Sequence, residues 1–455
     1  MAEFEFKMLG LAYYIDKGEY WKAITGLRRL HRQLKLREGL VKMPAFADKN
    51  EELSFYLNLQ NPKTGAFMDD FYPMCVYHGP TGNVLTHLDA LAEETGQPLR
   101  LKYPLTYLDE INTPDKVKAY FDDISAVGWI AAQFPQTTFH QTRDILASLN
   151  GEGGGKGVLE KHNLYVFSPE WKAAVLQWFY ENQDHETGFW GPRLRSSGRL
   201  AKLDLSNTAS IVKTFVDRDG NDIYASFPLR YKDEMFTTAL QVLSEETPAS
   251  DDDLDEWHEW ALKTRKGTYL LTRYLWSDAS TENKVQARSL IEKYQRTYFE
   301  KYYVASEGAF SYYPGSQHAT LDGTSGGLSF YSDMGAFSTE KQSHLWGCAE
   351  ETCRDLGQFH VSVLTEKDFD SIRDFKNVNA WRFYPTVPVV EDYTVNVAGV
   401  CYPEVTPVWD VVEFVPKLRT WINITSQSIG NWVSREEIES RLSDVQIESV
   451  PVSRG

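Results

Sequence analysis

The sequence predicts an all-α protein: an (α/α)6 toroid, which is a ring of six helical hairpins, with a small C-terminal extension that contains short β-strands. Three observations predict this fold. Apolar residues recur at helical intervals along most of the chain, one turn motif occurs three times at nearly constant spacing, and strand-like composition appears only towards the C-terminus. Within the 455 residues we expect the toroid at 1–380 and the extension at 381–455.

Helical periodicity is clearest in three amphipathic stretches. The first carries Trp21, Ile24, Leu27, Leu30 and Leu34, the second Val117, Tyr120, Ile124, Val127 and Ala131, and the third Val285, Leu290, Ile291, Tyr294 and Tyr298. Spacings of three and four residues place each of the first two sets on one face of a helix, and Ile291, Tyr294 and Tyr298 of the third set follow the same spacing. Shorter helices are predicted at about 50–59, 84–94, 170–181, 206–216, 233–243, 256–276, 324–337 and 341–357.

A turn motif recurs at 60–67 (QNPKTGAF), 182–191 (NQDHETGFWG) and 306–315 (SEGAFSYYPG). Its glycines, Gly65, Gly188 and Gly308, are separated by 123 and 120 residues, and each precedes an aromatic residue by one or two positions. Each motif follows one helix and precedes another with a polar start, so one period spans two helical hairpins. Three periods imply six hairpins, enough to close a ring.

The residue types of the motif fit a connection between two helices. Glycine adopts the left-handed conformation that ends a helix, and the aromatic residue fixes the turn against its neighbour. Ser, Thr, Asn and Asp ahead of the next apolar run are the residues that cap a helix N-terminus. The sequence therefore predicts alternating outer and inner helices, with the three loops that follow the motif opening at one end of the ring.

The chain changes character after residue 380. The segment 381–415 is punctuated by proline and rich in valine and aromatic residues, and Tyr393, Val395 and Val397 alternate with the period of a strand. We expect short strands packed on the toroid, followed by a short helix near 434–442.

The charge balance limits the possible partners. The formal net charge is −17, from 47 basic and 64 acidic residues, which disfavours binding to nucleic acid and to anionic membranes. No stretch of about 18 uncharged apolar residues occurs, so no membrane span is predicted. The N-terminus lacks the features of a signal peptide, and the four cysteines are too few for a disulfide scaffold. We therefore expect a cytoplasmic protein with a small-molecule substrate; the sequence specifies no oligomeric state.

Polar residues concentrate in the three loops between the motif and the inner helix. The first loop carries Asp69, Asp70, Tyr72 and His78, the second Arg193, Arg195 and Asp204, and the third Tyr312, Tyr313, His318 and Asp322. Because these loops are expected at one mouth of the ring, we predict a site there. The candidate catalytic residues are the proton carriers His318, Asp322, Tyr312, Asp69, Asp70 and His78, and the candidate substrate-binding residues are Tyr313, Tyr72, Arg193 and Asp204. The alternative for Asp204 and Asp322 is that each only caps its helix.

No metal site and no cofactor are predicted. Magnesium has one candidate pattern, Asp251, Asp252 and Asp255, but acidic residues in the first turn of a helix are also expected because they oppose its dipole. The glycine-rich segment 151–157 lacks the Gly-Lys-Ser/Thr ending of a phosphate-binding loop, so we expect an ordinary mobile loop.

Two segments resemble known repeats. LQWFYENQDHETGFW, at 176–190, resembles the Gln-Trp repeat of squalene-type terpene cyclases, and QNPKTGAF with the helix start that follows resembles the repeat of protein prenyltransferase β-subunits. The resemblance implies an α/α toroid around a central, aromatic-lined cavity. The chemical signatures of these families, an Asp-x-Asp-Asp acid and an Asp-x-Cys zinc pair, do not occur in this sequence.

Three functions from different classes fit these features. The resemblance implies a terpenoid-cyclase-like enzyme, in which aromatic side chains stabilise cations formed on an apolar or cyclic small molecule. The missing acid signature favours a glycan-active lyase, epimerase or hydrolase that transfers protons through carboxylate, histidine and tyrosine side chains. The third is a toroid without catalytic activity that binds a small molecule or a protein. We place the terpenoid-cyclase-like enzyme first.

Overall fold

Helices dominate the structure. The computed structural model describes residues 2–36, 46–134, 136–147, 157–217, 220–245, 247–250, 253–304, 309–335 and 339–347, and the backbone of five short strands between residues 351 and 451. Fourteen α-helices lie in these ranges, which confirms the mainly helical class that the periodicity predicts. None of the helices described is long and apolar enough to cross a membrane.

The chain forms two compact units, Met1–Met235 and Phe236–Gly455. A closed ring would need helices from both units. The toroid therefore stays a prediction, as does the boundary near residue 380.

The first unit is mainly helical in its described residues. Its helices are α1 (Ala2–Asp16), α2 (Tyr20–Leu36), α3 (Lys49–Asn58), α4 (His78–Thr95), α5 (Pro114–Ser125), α6 (His140–Ala147), α7 (Val158–Lys161), α8 (Pro169–Asn182) and α9 (Leu205–Phe215), and α10 (Lys232–Leu243) spans the division between the units. The two-residue strands β1 (Ala126–Val127) and β2 (Arg193–Leu194) pair in parallel. Helices α4, α6 and α9 pack side by side in one row, α3 packs on α4, and α5 packs on α8. Along the chain, the three helices of this row alternate with α3, α5 and α8.

Local sequence determines where α3, α5 and α8 begin. Asp48, Thr113 and Ser168 are the N-cap residues of α3, α5 and α8, and each side chain accepts a hydrogen bond from a backbone N–H of the first turn. Pro114 and Pro169 follow as first residues of α5 and α8. Proline is favourable there because its fixed φ suits the helix and its missing N–H would have no helical partner.

Helix α2 forms where the first apolar stripe predicts it, yet of the five stripe residues only Leu30 is buried. The buried side of α2 also carries Ala23 and Gly26. Gly26 lies directly against Leu11 of α1, whose side chain fills the space that a Cβ on residue 26 would need. Because α2 approaches α1 through small residues, its larger apolar side chains remain on the surface.

The first two copies of the turn motif share one hydrogen-bond pattern. Gln60 Nε2 lies 2.7 Å from the carbonyl oxygen of Gly65, and Gln183 Nε2 lies 2.9 Å from that of Gly188. Each amide also donates, at 2.7 Å, to a backbone carbonyl more than forty residues farther along the chain. Both glycines are left-handed, with φ of +72° and +71°. The left-handed conformation predicted for the motif glycine is confirmed in both copies, but neither glycine ends a helix, because the C-cap residues of α3 and α8 are Leu59 and Gln183.

The second unit contains four more helices in its described residues. They are α11 (Leu254–Tyr269), α12 (Thr281–Tyr302), α13 (Leu321–Asp333) and α14 (Thr339–Trp346). Helix α11 continues as a π-helical segment, Leu270–Leu275, and packs against α12 and α13. The antiparallel pair β3 (Tyr303–Val304) and β4 (Ala309–Phe310) follows α12. Stacked aromatic rings, including Tyr298 on Tyr302 and Phe310 on Tyr331, fill the core between these elements.

In all three copies of the motif, a threonine in the helix that follows forms a hydrogen bond with the aromatic residue. The backbone N–H of the aromatic residue donates to a buried threonine hydroxyl. The pairs are Phe67 with Thr81 of α4 at 3.1 Å, Trp190 with Thr208 of α9 at 3.1 Å, and Phe310 with Thr324 of α13 at 3.2 Å. The internal repeat is therefore a repeat of contacts as well as of sequence, although Gly308 itself lies outside the described residues.

Strands make up the described backbone beyond α14. These strands are β5 (Glu351–Arg354), β6 (Gly357–Val361), β7 (Tyr393–Ala398), β8 (Val400–Pro403) and β9 (Gln446–Pro451). All pairs are antiparallel: β5 with β8, and β7 with both β6 and β9. The strands predicted within 381–415 are present as β7 and β8, whereas β9 lies in the tail, where no strand was predicted, and β5 and β6 precede residue 380.

The helix predicted at 341–357 is wrong beyond Trp346. Gly347 has a φ of +84°, a left-handed conformation that ends α14, and Glu351–Arg354 is a strand. The helix predicted near 434–442 and most of the glycine-rich segment 151–157 lie outside the described residues.

Candidate functional site

The first turns of α4, α6 and α9 meet in the first unit. His140 is the first residue of α6, and its ring interacts with the side chain of Asn207 in the first turn of α9. One turn into α6, Asp144 reaches the start of α4, where a Cβ on Gly79 would lie 3.2 Å from Asp144 Oδ2. Three helix N-termini therefore lie together, and their dipoles favour negative charge nearby.

Polar side chains surround this junction, and we call them the three-helix cluster. They come from the starts of the three helices and from the loop before α5. The cluster consists of His78, Tyr107, His140, Gln141, Arg143, Asp144, Asp204 and Asn207.

Arg143 lies at the centre of the cluster. Its Nη2 donates to His140 Nε2 at 2.5 Å and to Asp144 Oδ1 at 2.8 Å. Gln141 Nε2 donates to the other oxygen of Asp144 at 3.3 Å. The side chains of His140, Arg143 and Asp144 are 20%, 23% and 17% exposed, so a molecule in solvent has access to all three.

The arrangement requires a neutral His140. A guanidinium group only donates hydrogen bonds, so His140 Nε2 is the acceptor and the ring proton resides on Nδ1. Burial lowers the pKa of His140 below its ordinary value of 6.5, and the charge of Arg143 lowers it further. Asp144 and Asp204 act in the opposite direction without reversing the shift. Near neutral pH, His140 is therefore an unprotonated base whose lone pair is occupied by Arg143.

His78 and Tyr107 form a buried pair next to these residues. His78 Nδ1 lies 3.2 Å from Tyr107 Oη. Burial lowers the pKa of His78, with partial opposition from Asp144, and burial raises the pKa of Tyr107. Both side chains are therefore uncharged near neutral pH, and they fix the position of the first turn of α4.

Asp204 and Asn207 start α9. Asp204 Oδ1 accepts a hydrogen bond from Asn207 N at 3.0 Å, and Asp204 Oδ2 accepts one from Asn207 Nδ2 at 2.7 Å. Asp204 thus caps its helix, the alternative role predicted for it. Among the described residues, the buried oxygen Gln141 Oε1 has no hydrogen-bond donor within reach. A buried acceptor without a partner costs about 1–3 kcal/mol, so this oxygen lowers the stability of the cluster.

Asp69 and Asp70 make local contacts elsewhere in the first unit. Asp69 Oδ1 accepts from Phe71 N at 2.9 Å, and Asp69 Oδ2 pairs with Arg29 Nη2 at 3.1 Å. Asp70 Oδ2 pairs with Lys63 Nζ at 2.6 Å. These contacts order the loop that follows the first motif, and none of them joins either aspartate to the three-helix cluster.

Tyr72 and Arg193 also take structural positions. Tyr72 is buried against α1, close to Gly10. Arg193 donates to Asn182 O at 3.2 Å and pairs with Asp184 Oδ2 at 3.4 Å. Arg193 therefore fastens β2 to the second copy of the turn motif. Of the six predicted residues in this unit, the structure brings only His78 and Asp204 into the cluster.

The predicted residues of the third loop belong to the second unit. Tyr312 Oη lies 3.3 Å from Nε2 of His258, a residue that the sequence analysis did not select. Tyr313 and His318 are exposed. The convergence of this loop with the other two stays a prediction, because it involves both units.

Thr320, and not Asp322, is the N-cap of α13, since its side chain accepts from Gly323 N at 3.0 Å. Asp322 is the second residue of the helix, and its side chain is not among those that the structure describes.

His140, Arg143 and Asp144 are not among the residues predicted from the sequence. The Gly-aromatic motif does not precede α6, so the repeat does not point to the loop ahead of it. A weaker signal was present, because His140, Arg143 and Asp144 follow the spacing i, i+3, i+4 that places side chains on one face of a helix.

Acidic and histidine side chains do not gather into a metal site in the part of the chain that the structure describes. Within those ranges, no group of three or more His, Cys, Asp or Glu side chains is placed to hold a metal ion. Asp251 and Asp252 of the candidate magnesium pattern lie outside those ranges. Asp253, next to them, caps α11 by accepting from Glu256 N at 3.0 Å.

No protein-family model, curated protein or solved structure matches this chain. The chemistry of the three-helix cluster is therefore the basis for assigning a function.

Proposed function

We propose that this chain is an acid–base enzyme in which His140 removes a proton from a small molecule that carries a carboxylate or a similar anionic group. The observation that supports this function is the position of Arg143, which donates both to a neutral, solvent-accessible histidine and to a carboxylate. Lyases and isomerases that take a proton next to a carboxylate need two groups together. One is a base, and the other is a cation that stabilises the negative charge as it develops.

Arg143 is the group that binds the anion. A guanidinium presents two parallel N–H donors that match the two oxygens of a carboxylate. The N-termini of α4, α6 and α9 add a favourable potential at the same place. When Arg143 Nη2 donates to the substrate, His140 Nε2 loses its donor and its lone pair becomes available. Substrate binding would thereby activate the base.

Asp144 positions Arg143 before the reaction and stabilises the product of proton transfer. Asp144 Oδ1 lies 3.9 Å from His140 Nε2, so it attracts the imidazolium that forms when His140 accepts a proton. A general base of this kind contributes roughly 10²–10⁴-fold to the rate.

The ionic character of the cluster supports the lyase or isomerase class over the terpenoid-cyclase-like class. A positive guanidinium raises the energy of a carbocation formed nearby, whereas it lowers the energy of an enolate-like anion. Anionic sugars and hydroxy acids belong to the substrate class that this chemistry fits, because they carry a carboxylate next to a C–H group. A toroid without catalytic activity would bind the same anion and leave its protons in place.

Exchange of hydrogen for deuterium tests the proposal whatever product the enzyme forms. The chain is incubated in D2O with a panel of uronic acids and hydroxy acids, and with neutral sugars for comparison. Proton NMR follows the signal of the C–H group next to the carboxylate. We expect loss of that signal, or conversion to a product, only for compounds that carry the anionic group.

Two variants then assign the roles. His140→Gln should lower exchange roughly 10²–10⁴-fold while binding is retained. Arg143→Gln should weaken binding and move the acidic limb of the pH–rate profile to higher pH, because Arg143 lowers the pKa of His140. His87→Gln and Arg296→Gln are matched controls, each removing a side chain that pairs with a glutamate away from the cluster. Full exchange by His140→Gln would contradict the proposal, and anion binding without exchange in the native chain would identify a binding protein instead.

A further inference from the structure

Helix α2 presents a row of large apolar side chains to solvent. Trp21 is 73% exposed, Leu27 is 55% exposed and Leu34 is 57% exposed, and Tyr20 and Ile24 are exposed as well. Single exposed apolar residues are common on protein surfaces, but a contiguous row along one helix marks an interaction surface.

Basic residues adjoin this row. Helix α2 contains five Lys and Arg residues and no Asp or Glu, although the whole chain has a net charge of −17. Arg29 pairs with Asp69, and Lys22 pairs with Glu19. The remaining three are exposed, and within the described residues no hydrogen bond or ion pair engages them: Arg28, Arg32 and Lys35.

The two kinds of side chain occupy adjacent arcs of the helix. At about 100° per residue, Leu34, Leu27, Tyr20 and Ile24 lie within an arc of roughly 80° of the circumference, which also contains the exposed His31. Lys35, Arg28 and Arg32 lie within the next 60° or so, and Trp21 lies inside this basic arc, between Arg28 and Arg32. An apolar arc with a basic arc beside it is the pattern of a helix that lies in the interface of a membrane.

We propose that α2 binds the surface of an anionic lipid bilayer and lies parallel to it, with the apolar arc inserted about 5–10 Å and the basic arc at the lipid phosphates. Charge complementarity selects the anionic lipid. Helix α2 contributes +5 to the net charge of −17, so the rest of the chain carries −22 and only a local basic surface could attract such a bilayer. Salt screens the electrostatic interaction between the chain and the bilayer beyond about one Debye length, which is about 8 Å at physiological salt. The net charge of the whole chain therefore does not prevent α2 from binding. Trp21 and Tyr20, at the first turn of α2, belong to the residue types enriched where membrane meets water.

Flotation of the full chain with lipid vesicles tests the proposal. We expect the native chain to float with vesicles of mixed phosphatidylglycerol and phosphatidylcholine, less so with phosphatidylcholine alone, and less at high salt. Trp21→Ser combined with Ile24→Ser should abolish flotation. A basic residue near an anionic surface raises partitioning roughly fivefold, so Arg28→Gln combined with Arg32→Gln should lower it roughly 25-fold.

Trp129→Ser is the matched control, because Trp129 is also 73% exposed but lies in the loop before α6. It should float like the native chain. All the substituted side chains are exposed, so the variants should keep the native helix content in circular dichroism. A native chain that does not float with anionic vesicles overturns the proposal, as does a Trp129→Ser variant that loses as much binding as the α2 variants. A native dimer that the α2 variants dissociate, seen by light scattering and without vesicle binding, would show instead that this face joins two copies.

Discussion

Replacing Trp190 with alanine tests how the repeat stabilises the fold. Trp190 belongs to the second copy of the turn motif and is only 1% exposed. Its Nε1 donates to Phe179 O in α8 at 2.7 Å, and its ring stacks on Phe215 of α9, with ring centroids 5.9 Å apart. The Trp190 side chain therefore connects α8, which precedes the motif, with α9, which follows it.

The expected loss follows from these contacts. Truncation of a buried tryptophan to alanine costs about 3–5 kcal/mol, which includes the cavity that it leaves. For a unit of the size of Met1–Met235, 1 kcal/mol corresponds to a Tm change of about 2 °C, so we expect a decrease of about 6–10 °C. Trp190→Phe keeps most of the apolar contact and loses only the N–H donor, so about 1–3 kcal/mol is expected.

Thermal unfolding followed by circular dichroism measures the effect. Trp129→Ala is the exposed control and should change stability by no more than about 0.5 kcal/mol. A Trp190→Ala variant with the native Tm would refute the structural role of the motif aromatic. If that variant also failed to bind the ligand, the ring would belong to a binding pocket.

Two further predictions concern the turn glycine and the buried histidines. Gly188 is left-handed, and a Cβ there would lie 2.6 Å from two backbone atoms, so Gly188→Ala should cost about 3 kcal/mol or more. Gly198 has nearly the same φ but no atom within 4 Å, so Gly198→Ala should cost only about 1–2 kcal/mol in urea unfolding, and equal losses would contradict the steric argument. Burial lowers the pKa of His78 and His140, so below the ordinary value of 6.5 the unfolded chain binds protons that the folded chain does not. The free energy of unfolding should therefore be highest above about pH 7 and decrease as the pH falls below 6.5, with a smaller decrease for His78→Gln; an equal decrease in that variant would argue against this origin.

Features that depend on a few neighbouring residues could be predicted from the sequence. Gly65 and Gly188 both adopt the left-handed conformation that favours glycine, and Asp204 caps α9 as its residue type and position indicate. Residue type and the immediate neighbours in sequence decide both features.

Features that depend on distant contacts could not be predicted in the same way. Periodicity placed α2 correctly, but it does not determine whether Trp21 meets a partner or solvent, and Trp21 is exposed. The same holds for the candidate site. His140, Arg143 and Asp144 share one face of α6, but their contacts with the starts of α4 and α9 depend on how the helices pack. The spacing of residues along the chain does not encode that packing.

The titration of His140 tests the central claim most directly, and it requires no substrate. Nitrogen-15 NMR of histidine-labelled protein reports both the pKa and the ring nitrogen that carries the proton. We expect His140 to titrate below 6.5 with its proton on Nδ1, and the pKa to rise in Arg143→Gln because a nearby positive charge has been removed. A His140 that titrates at or above 6.5, or whose pKa does not respond to Arg143→Gln, would contradict the account.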